Sequence, residues 1–383
     1  MDRRAFLFAA TTAAALPSAA FAQAYGQTAP APVRPSYPPV DARSVWLVGD
    51  SAPPDPVGST RKLLELVEAT GEVRDSYLAE GAVKALETRF AALLGKEDCA
   101  FLPTGTLANQ VALRVLCGDD QKAIVQHESH VYRDESDAAQ ILAGLNLTAL
   151  APGRTSPTLD EVIAAVDEAA NGPYPVKTGA IALESPVRRT QGQMVPPALA
   201  AQITGYAREK GIRTHLDGAR LLLAAPEFDT RAYAGLFDTV YVSLYKYLGA
   251  PFGAVLAGSR EHIAEARALR HIYGGTIYQG WQAALLANAA LETFPDRIAQ
   301  SHRRARELFT ALEAGGKIKL RPAPDASNIF EFEISDETAA AALERSRPAG
   351  VRIGMPRNGV APFYVNETIL RRPVEDYVRI FLG

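Results

Sequence analysis

The sequence predicts an α/β protein with a mostly parallel sheet and a smaller α+β domain at its carboxy-terminal end. Three observations predict it. Through the middle of the chain, helical stretches alternate with short apolar runs, the pattern of parallel strands joined by crossover helices. Several of these helices carry a clear start or stop signal, a capping pair or a glycine. Beyond Pro295 the alternation gives way to mixed helix and strand.

Taken in order, residues 81–94 read as a helix that stops at Gly95, and the run CAFLP after it reads as a buried strand. Thr158 and Glu161 form a capping box for a helix ending near Gly172, followed by a strand over 179–184. A helix over 197–210 stops at Gly211 and leads into a strand over 212–217. Residues 239–244 read as a further strand, ahead of the glycine-rich LGAPFG. No internal repeat and no low-complexity tract interrupts this plan.

The first residues are not part of the fold. MDRRAFLFAATTAAALPSAAFAQA has a short basic start, an apolar run over 5–16 and small-residue cleavage points after Ala22 or Ala24. Arg3 and Arg4, followed by Ala5, Phe6 and Leu7, match the core of a twin-arginine export signal, with Asp2 where Ser or Thr is usual. APAPVRPSYPP then reads as an extended tether. The expected organisation is a signal peptide over 1–24, a proline-rich linker over 25–42, a large domain over 43–294 and a small domain over 295–383. The expected destination is the periplasm. No other run reaches the roughly 18 apolar residues of a spanning helix, so a mature form free of the membrane is expected.

Charge excludes some partners. The formal charge is −3, and the leader carries Asp2, Arg3 and Arg4, so its removal leaves −4. Nothing in that balance favours nucleic acid or anionic lipid.

In sheets of this kind, ligands sit beyond the carboxyl ends of the strands. Asp217 ends an apolar strand, where an unpaired carboxylate is costly and a cationic pyridine nitrogen would stabilise it. An aspartate capping the next helix is the plainer alternative. Lys246 follows the strand over 239–244, in a setting that lowers a lysine pKa and lets the free amine attack a carbonyl; a loop lysine at the surface would read the same. Thr104, Gly105 and Thr106 lie between a strand and a helix, where free N–H groups favour phosphate. Together the lysine and the aspartate read as the covalent anchor and ring partner of pyridoxal phosphate.

From Trp46 to about Glu292 the chain resembles the β-eliminating lyase and threonine aldolase group of fold type I pyridoxal phosphate enzymes. The resemblance rests on an ordered set: YLAEGAVKALETRFAALLGKEDCAFLPTGTLANQVAL, HVYRDESDAAQILAG, HLDGARL, LYKYLGAPFGAVLAGS and GGTIYQG. It implies a transferase-like large domain with a seven-stranded sheet, and a homodimer or homotetramer with sites at the subunit interface. It also implies that Lys246 holds the cofactor, that Asp217 pairs with its ring nitrogen and that Gly105 and Thr106 bind its phosphate. His130 is implied as the catalytic residue stacked on the ring, with Glu135 near it. Arg220 is implied beside the cofactor hydroxyl and the substrate carboxylate. HESH, with His127, Glu128 and His130, falls short of a closed metal site, and no metal is expected.

The substrate half departs from the aldolase pattern. The run ESPVRRTQG lacks the usual threonine-histidine pair, Tyr245 replaces a serine before the lysine, and Tyr278 stands where an arginine is common. APFYVNET lacks the usual carboxylate-binding arginine, so Arg352 and Arg357 join Arg220 as substrate-binding candidates, with Arg188 and Arg189 as further replacements. Tyr77, Tyr245, Tyr247 and Tyr278 are candidates for an aromatic pocket wall. The expected activity is aldol-type cleavage of a β-hydroxy-α-amino acid to glycine and an aldehyde. A β-eliminating lyase, an aminotransferase and a non-catalytic exported amino-acid-binding protein stay open as alternatives. Cys99 and Cys117 are placed to meet at one edge of their βα unit, so a disulfide is open as well.

Overall fold

The computed structural model describes residues 40–383 apart from Glu72 and Pro324. The expected signal peptide and the linker before residue 40 lie outside the described residues.

Seven strands form the main sheet: β2 (Asp98–Leu102), β3 (Lys122–Gln126), β4 (Asn146–Leu150), β5 (Thr178–Glu184), β6 (Arg213–Asp217), β7 (Thr239–Ser243) and β8 (Ala254–Gly258). Their order is β2-β8-β7-β6-β5-β3-β4. Only β8 runs against the others, pairing antiparallel with both β2 and β7, so the sheet is mostly parallel as expected. Every residue of β5, β7 and β8 is buried, the signature of strands covered on both faces.

The local signals explain the helices that cover it. Helix Gly81–Leu94 buries Val83, Leu86, Phe90 and Leu94 along one stripe and ends at Gly95, whose φ of 65° suits a residue without Cβ. The capping box forms at helix Leu159–Asn171: Thr158 Oγ1 accepts from the Glu161 N–H, and the Glu161 carboxylate accepts from the Thr158 N–H.

A second core belongs to the small domain, where Phe332 and Phe363 meet Phe309 edge-on with ring centroids 5.2 and 5.1 Å away. Its strands are β9 (Ile318–Leu320), β10 (Ile329–Ile334) and β12 (Val360–Tyr364), an antiparallel set in the order β12-β10-β9. The divide differs from the expected 294/295 boundary in two ways. First, β1 (Val45–Trp46) pairs with β11 (Val351–Arg352), and Val45 and Leu47 are buried in the second core, so the start of the described chain completes the small domain. Second, helix Trp281–Ala314 runs through Pro295 unbroken and places Phe294 and Ile298 in the large core, Leu308 and Leu312 in the small one. Flanking apolar periodicity, which a proline leaves intact, holds this helix together.

The disulfide does not form. Cys99 lies on β2 at one edge of the sheet, opposite Ala257. Helix Gly105–Cys117 then crosses the sheet, and Cys117 ends it against Gly179 of β5. Four strand spacings, about 19 Å, separate β2 from β5, far beyond the roughly 7 Å that a disulfide spans between Cα atoms. Both thiols are buried and free, and burial pushes the Cys117 thiol up to about 12.

Candidate active site

A cavity of about 390 Å³ opens at the carboxyl ends of the parallel strands, within the size range of ligand pockets. The crossover topology explains its composition. The segments that follow β2, β3, β6 and β7 deliver Gly105 and Thr106, His130, Arg220, and Lys246 to one place, while β5 and β6 end there with Glu184 and Asp217 side by side.

Lys246 is half-buried beside Arg220. Burial is the larger cause, and the Arg220 charge the next, that together lower its amine to about 8 against the opposing pull of Asp217, Asp50 and Glu184. A substantial free-base fraction follows at neutral pH. Arg220 donates from Nε to Asp50 Oδ2 at 2.8 Å. Burial alone would lower its pKa, but Asp50 and Glu184 outweigh that, so the guanidinium stays charged with its outer nitrogens left for a carboxylate. Ser51 Oγ donates to the Lys246 carbonyl at 2.8 Å, which ties the 48–52 segment over the site.

Asp217 accepts from Asn109 Nδ2 at 2.9 Å and from the Ala219 N–H at 3.1 Å. His130 Nδ1 lies 2.8 Å from Glu135 Oε1, and that hydrogen bond is the main reason its pKa is raised. Glu184 accepts from the backbone N–H of His130 at 2.6 Å and of Arg188 at 2.9 Å. Burial first, and the neighbouring Asp217 second, raise its carboxyl to about 7.

The residues present fit pyridoxal phosphate. Lys246 supplies an amine of lowered pKa. Asp217 is a buried carboxylate that makes no direct ion pair with a cationic side chain among the described residues, so a pyridinium nitrogen could pair with it. Thr104 caps its helix by accepting the Leu107 N–H, which leaves the Gly105 and Thr106 N–H groups for a phosphate. Gly105 is required there: a Cβ would lie 1.9 Å from the hydroxyl oxygen of buried Tyr241.

Other candidates lie elsewhere. Arg352 stacks on the Trp46 ring, 4.3 Å from its centroid, and Arg357 lies in the turn before β12; neither lines the cavity, because β11 and β12 belong to the small-domain core. Arg188 and Arg189 both grip Asp134. Tyr245 lines the cavity, with the Lys246 ammonium 5.7 Å over its ring. Tyr247 is a core residue stacked on Phe294, and Tyr77 packs edge-on with exposed Tyr278 outside the cavity. Sequence reasoning missed Asn109, Gln110 and His215 and left Glu184 without a role. Polar residues within otherwise apolar runs, as in LANQVAL and THLD, were the signal for the first three.

The β-eliminating lyase family model matches residues 59–335. The low-specificity L-threonine aldolase of Escherichia coli (strain K12) is 29% identical over 299 residues, covering 77% of this chain and 87% of that protein. The low-specificity L-threonine aldolase of Candida albicans is 30% identical over 262 residues, 66% of this chain and 68% of that protein. Among solved structures, one assigned as an L-allo-threonine aldolase from Listeria monocytogenes superposes with a TM-score of 0.74 at 26% identity, over 88% of this chain and 95% of that one.

Proposed function

The chain belongs to the β-eliminating lyase family and is a pyridoxal-phosphate-dependent lyase of the aldolase type, and we propose that it cleaves the Cα–Cβ bond of a β-hydroxy-α-amino acid to glycine and an aldehyde. The observation that carries this is the convergence of Lys246, Asp217 and the Gly105–Thr106 amides on one cavity. When bound, the cofactor supplies an electron-withdrawing ring that accepts the pair left at Cα. Lys246 would anchor it, and Asp217 would pair with its ring nitrogen. Arg220, oriented by Asp50, holds the substrate carboxylate. His130, with Nδ1 committed to Glu135, presents Nε2 to take the β-hydroxyl proton.

The run ESPVRRTQGQMVP, which follows the strand where aldolases typically carry a threonine-histidine pair, holds no histidine. That absence favours β-elimination as the second reading. The low pKa of Lys246 argues against a protein that only binds amino acids, since binding needs no free amine. We further infer export by the twin-arginine route to the periplasm, supported by Arg3 and Arg4 ahead of an apolar run, and assembly as a homodimer or homotetramer, supported by the family resemblance.

A product assay decides the chemistry. The cofactor-loaded protein is incubated with a panel of amino acids, and aldehyde plus glycine is the expected result. Keto acid plus ammonia would establish elimination, and amino-group exchange would establish transamination.

A further inference from the structure

Asn109 is fully buried in helix Gly105–Cys117 and does not itself line the cavity. Its side chain nevertheless joins the two acids behind it. Nδ2 donates to Asp217 Oδ2 at 2.9 Å and to Glu135 Oε1 at 2.9 Å, while Oδ1 lies 3.1 Å from His215 Nε2. Only one orientation of the amide works, because turning it over would set its oxygen against two carboxylates.

That orientation fixes the rest. His215 Nε2 must carry a proton, so Nδ1 accepts from the Thr239 hydroxyl at 2.9 Å. Burial lowers the His215 pKa to about 4, which keeps the ring in the one-proton form this needs. A relay of donors therefore runs from Thr239 through His215 and Asn109 and ends on two carboxylates. Glu135 receives further donors from Gln110 Nε2 and His130 Nδ1.

Two acids that share one NH2 group repel each other in a dry site. Asn109 donates to both, and each also faces a group on its outer side. For Glu135 that group is His130, whose pKa the shared hydrogen bond raises. Asp217 forms no ion pair with a cationic side chain among the described residues, although the charges of Lys246 and Arg220 reach it, and its outer side faces the cavity, where a further cation can be placed against it.

We propose that Asn109 is a positioning residue that couples the protonation of His130 to the charge of the group facing Asp217. The groups facing His130 are Glu135, Asp217 and Lys246, and Glu184 takes its backbone N–H. Of these, Glu135 and Asp217 are joined by a single side chain. A cation placed against Asp217 cancels one of the negative charges that hold the His130 proton, so His130 titrates lower once the site is loaded. The identification of that cation with the cofactor ring rests on the function proposed above; the link between the two acids does not.

The test is NMR on the full-length protein labelled at histidine and asparagine, cofactor-free and cofactor-loaded, with no substrate present. The Asn109 side-chain amide resonances are expected to move with the same midpoint as His130, and that midpoint to fall on loading. Asn109→Asp and Asn109→Leu are expected to raise the His130 midpoint by about half a unit or more, the first by added charge and the second by removing a donor that shares Glu135 Oε1 with His130. Amide resonances that stay fixed while His130 titrates would overturn the proposal without any variant. A His130 midpoint unmoved in a folded variant would overturn it too. The product assay can fail while these titrations succeed, so the two readings fall separately.

Discussion

A lysine amine lowered from 10.5 to about 8 has a measurable consequence before any substrate is present. At pH 7 the free-base fraction rises from about 0.03% to about 9%, roughly 300-fold, and the rate of capturing a cofactor aldehyde scales with that fraction. Burial cannot be altered cleanly, but the second cause can. Arg220→Gln removes the adjacent cation and leaves Asp50 uncompensated, and both changes raise the Lys246 pKa. A rise of about half to one unit reduces the free amine at pH 7 about 3- to 10-fold. The assay mixes cofactor-free protein with pyridoxal phosphate and follows the visible absorbance of the loaded site from pH 6 to 10. The expected wild-type rate levels off near pH 8, with the Arg220→Gln midpoint displaced upward. A wild-type rate that climbs without a break towards pH 10, or a variant midpoint displaced downward, would refute the reasoning. As a companion measurement, cofactor-free Lys246→Met should be more stable than wild type at pH 7, by up to about 3 kcal/mol, because a charge held in the interior is gone.

Three more expectations can be checked directly. Gly105→Ala forces a Cβ against the Tyr241 hydroxyl, an overpacking worth about 1–3 kcal/mol, so titration with pyridoxal phosphate should show affinity weakened about tenfold or more. A thiol count in denaturant without reductant should give two per chain, and a count of zero would contradict the separation of Cys99 and Cys117. His215 titrates near 4 when folded and near 6.5 when unfolded, so the unfolded chain binds more protons between those values and stability falls as pH drops through that window. The loss reaches about 3 kcal/mol at the bottom of the window, and urea melts at pH 7 and pH 4 should show it shrinking in His215→Gln.

Much of this molecule was legible along the chain because local rules act over a few residues. Gly95 ends its helix where it was expected to, Thr158 and Glu161 cap theirs, and Asp217 ends, and Lys246 follows, a strand whose apolar run marks it as buried. The ordered motifs also held most of the residues that line the cavity, since each of them depends on the end of a single element. Features that depend on two distant segments were not legible. Tyr247 differs little from Tyr245 as a sequence neighbour, yet one stacks on Phe294 and the other lines the cavity. Arg352 and Arg357 looked equivalent to Arg220 as carboxylate binders until β1 and the small-domain strands claimed their surroundings.

From its residues alone the chain determined an alternating α/β plan, the strand ends that carry Asp217 and Lys246, and the amide-rich turn at Gly105 and Thr106. These follow from periodicity, capping and backbone freedom, which are properties of short stretches. Only the tertiary structure decided that Asn109, 26 residues before Glu135 and 108 before Asp217, would bridge both, that Glu184 would sit against Asp217, and that Cys99 and Cys117 would stand apart. The physical reason is that hydrogen bonds and like-charge repulsion act across space, and strand order sets those distances. Once β5 and β6 lie side by side, two acids share one dry site, and burial and its neighbour hold the Glu184 carboxyl above its usual range.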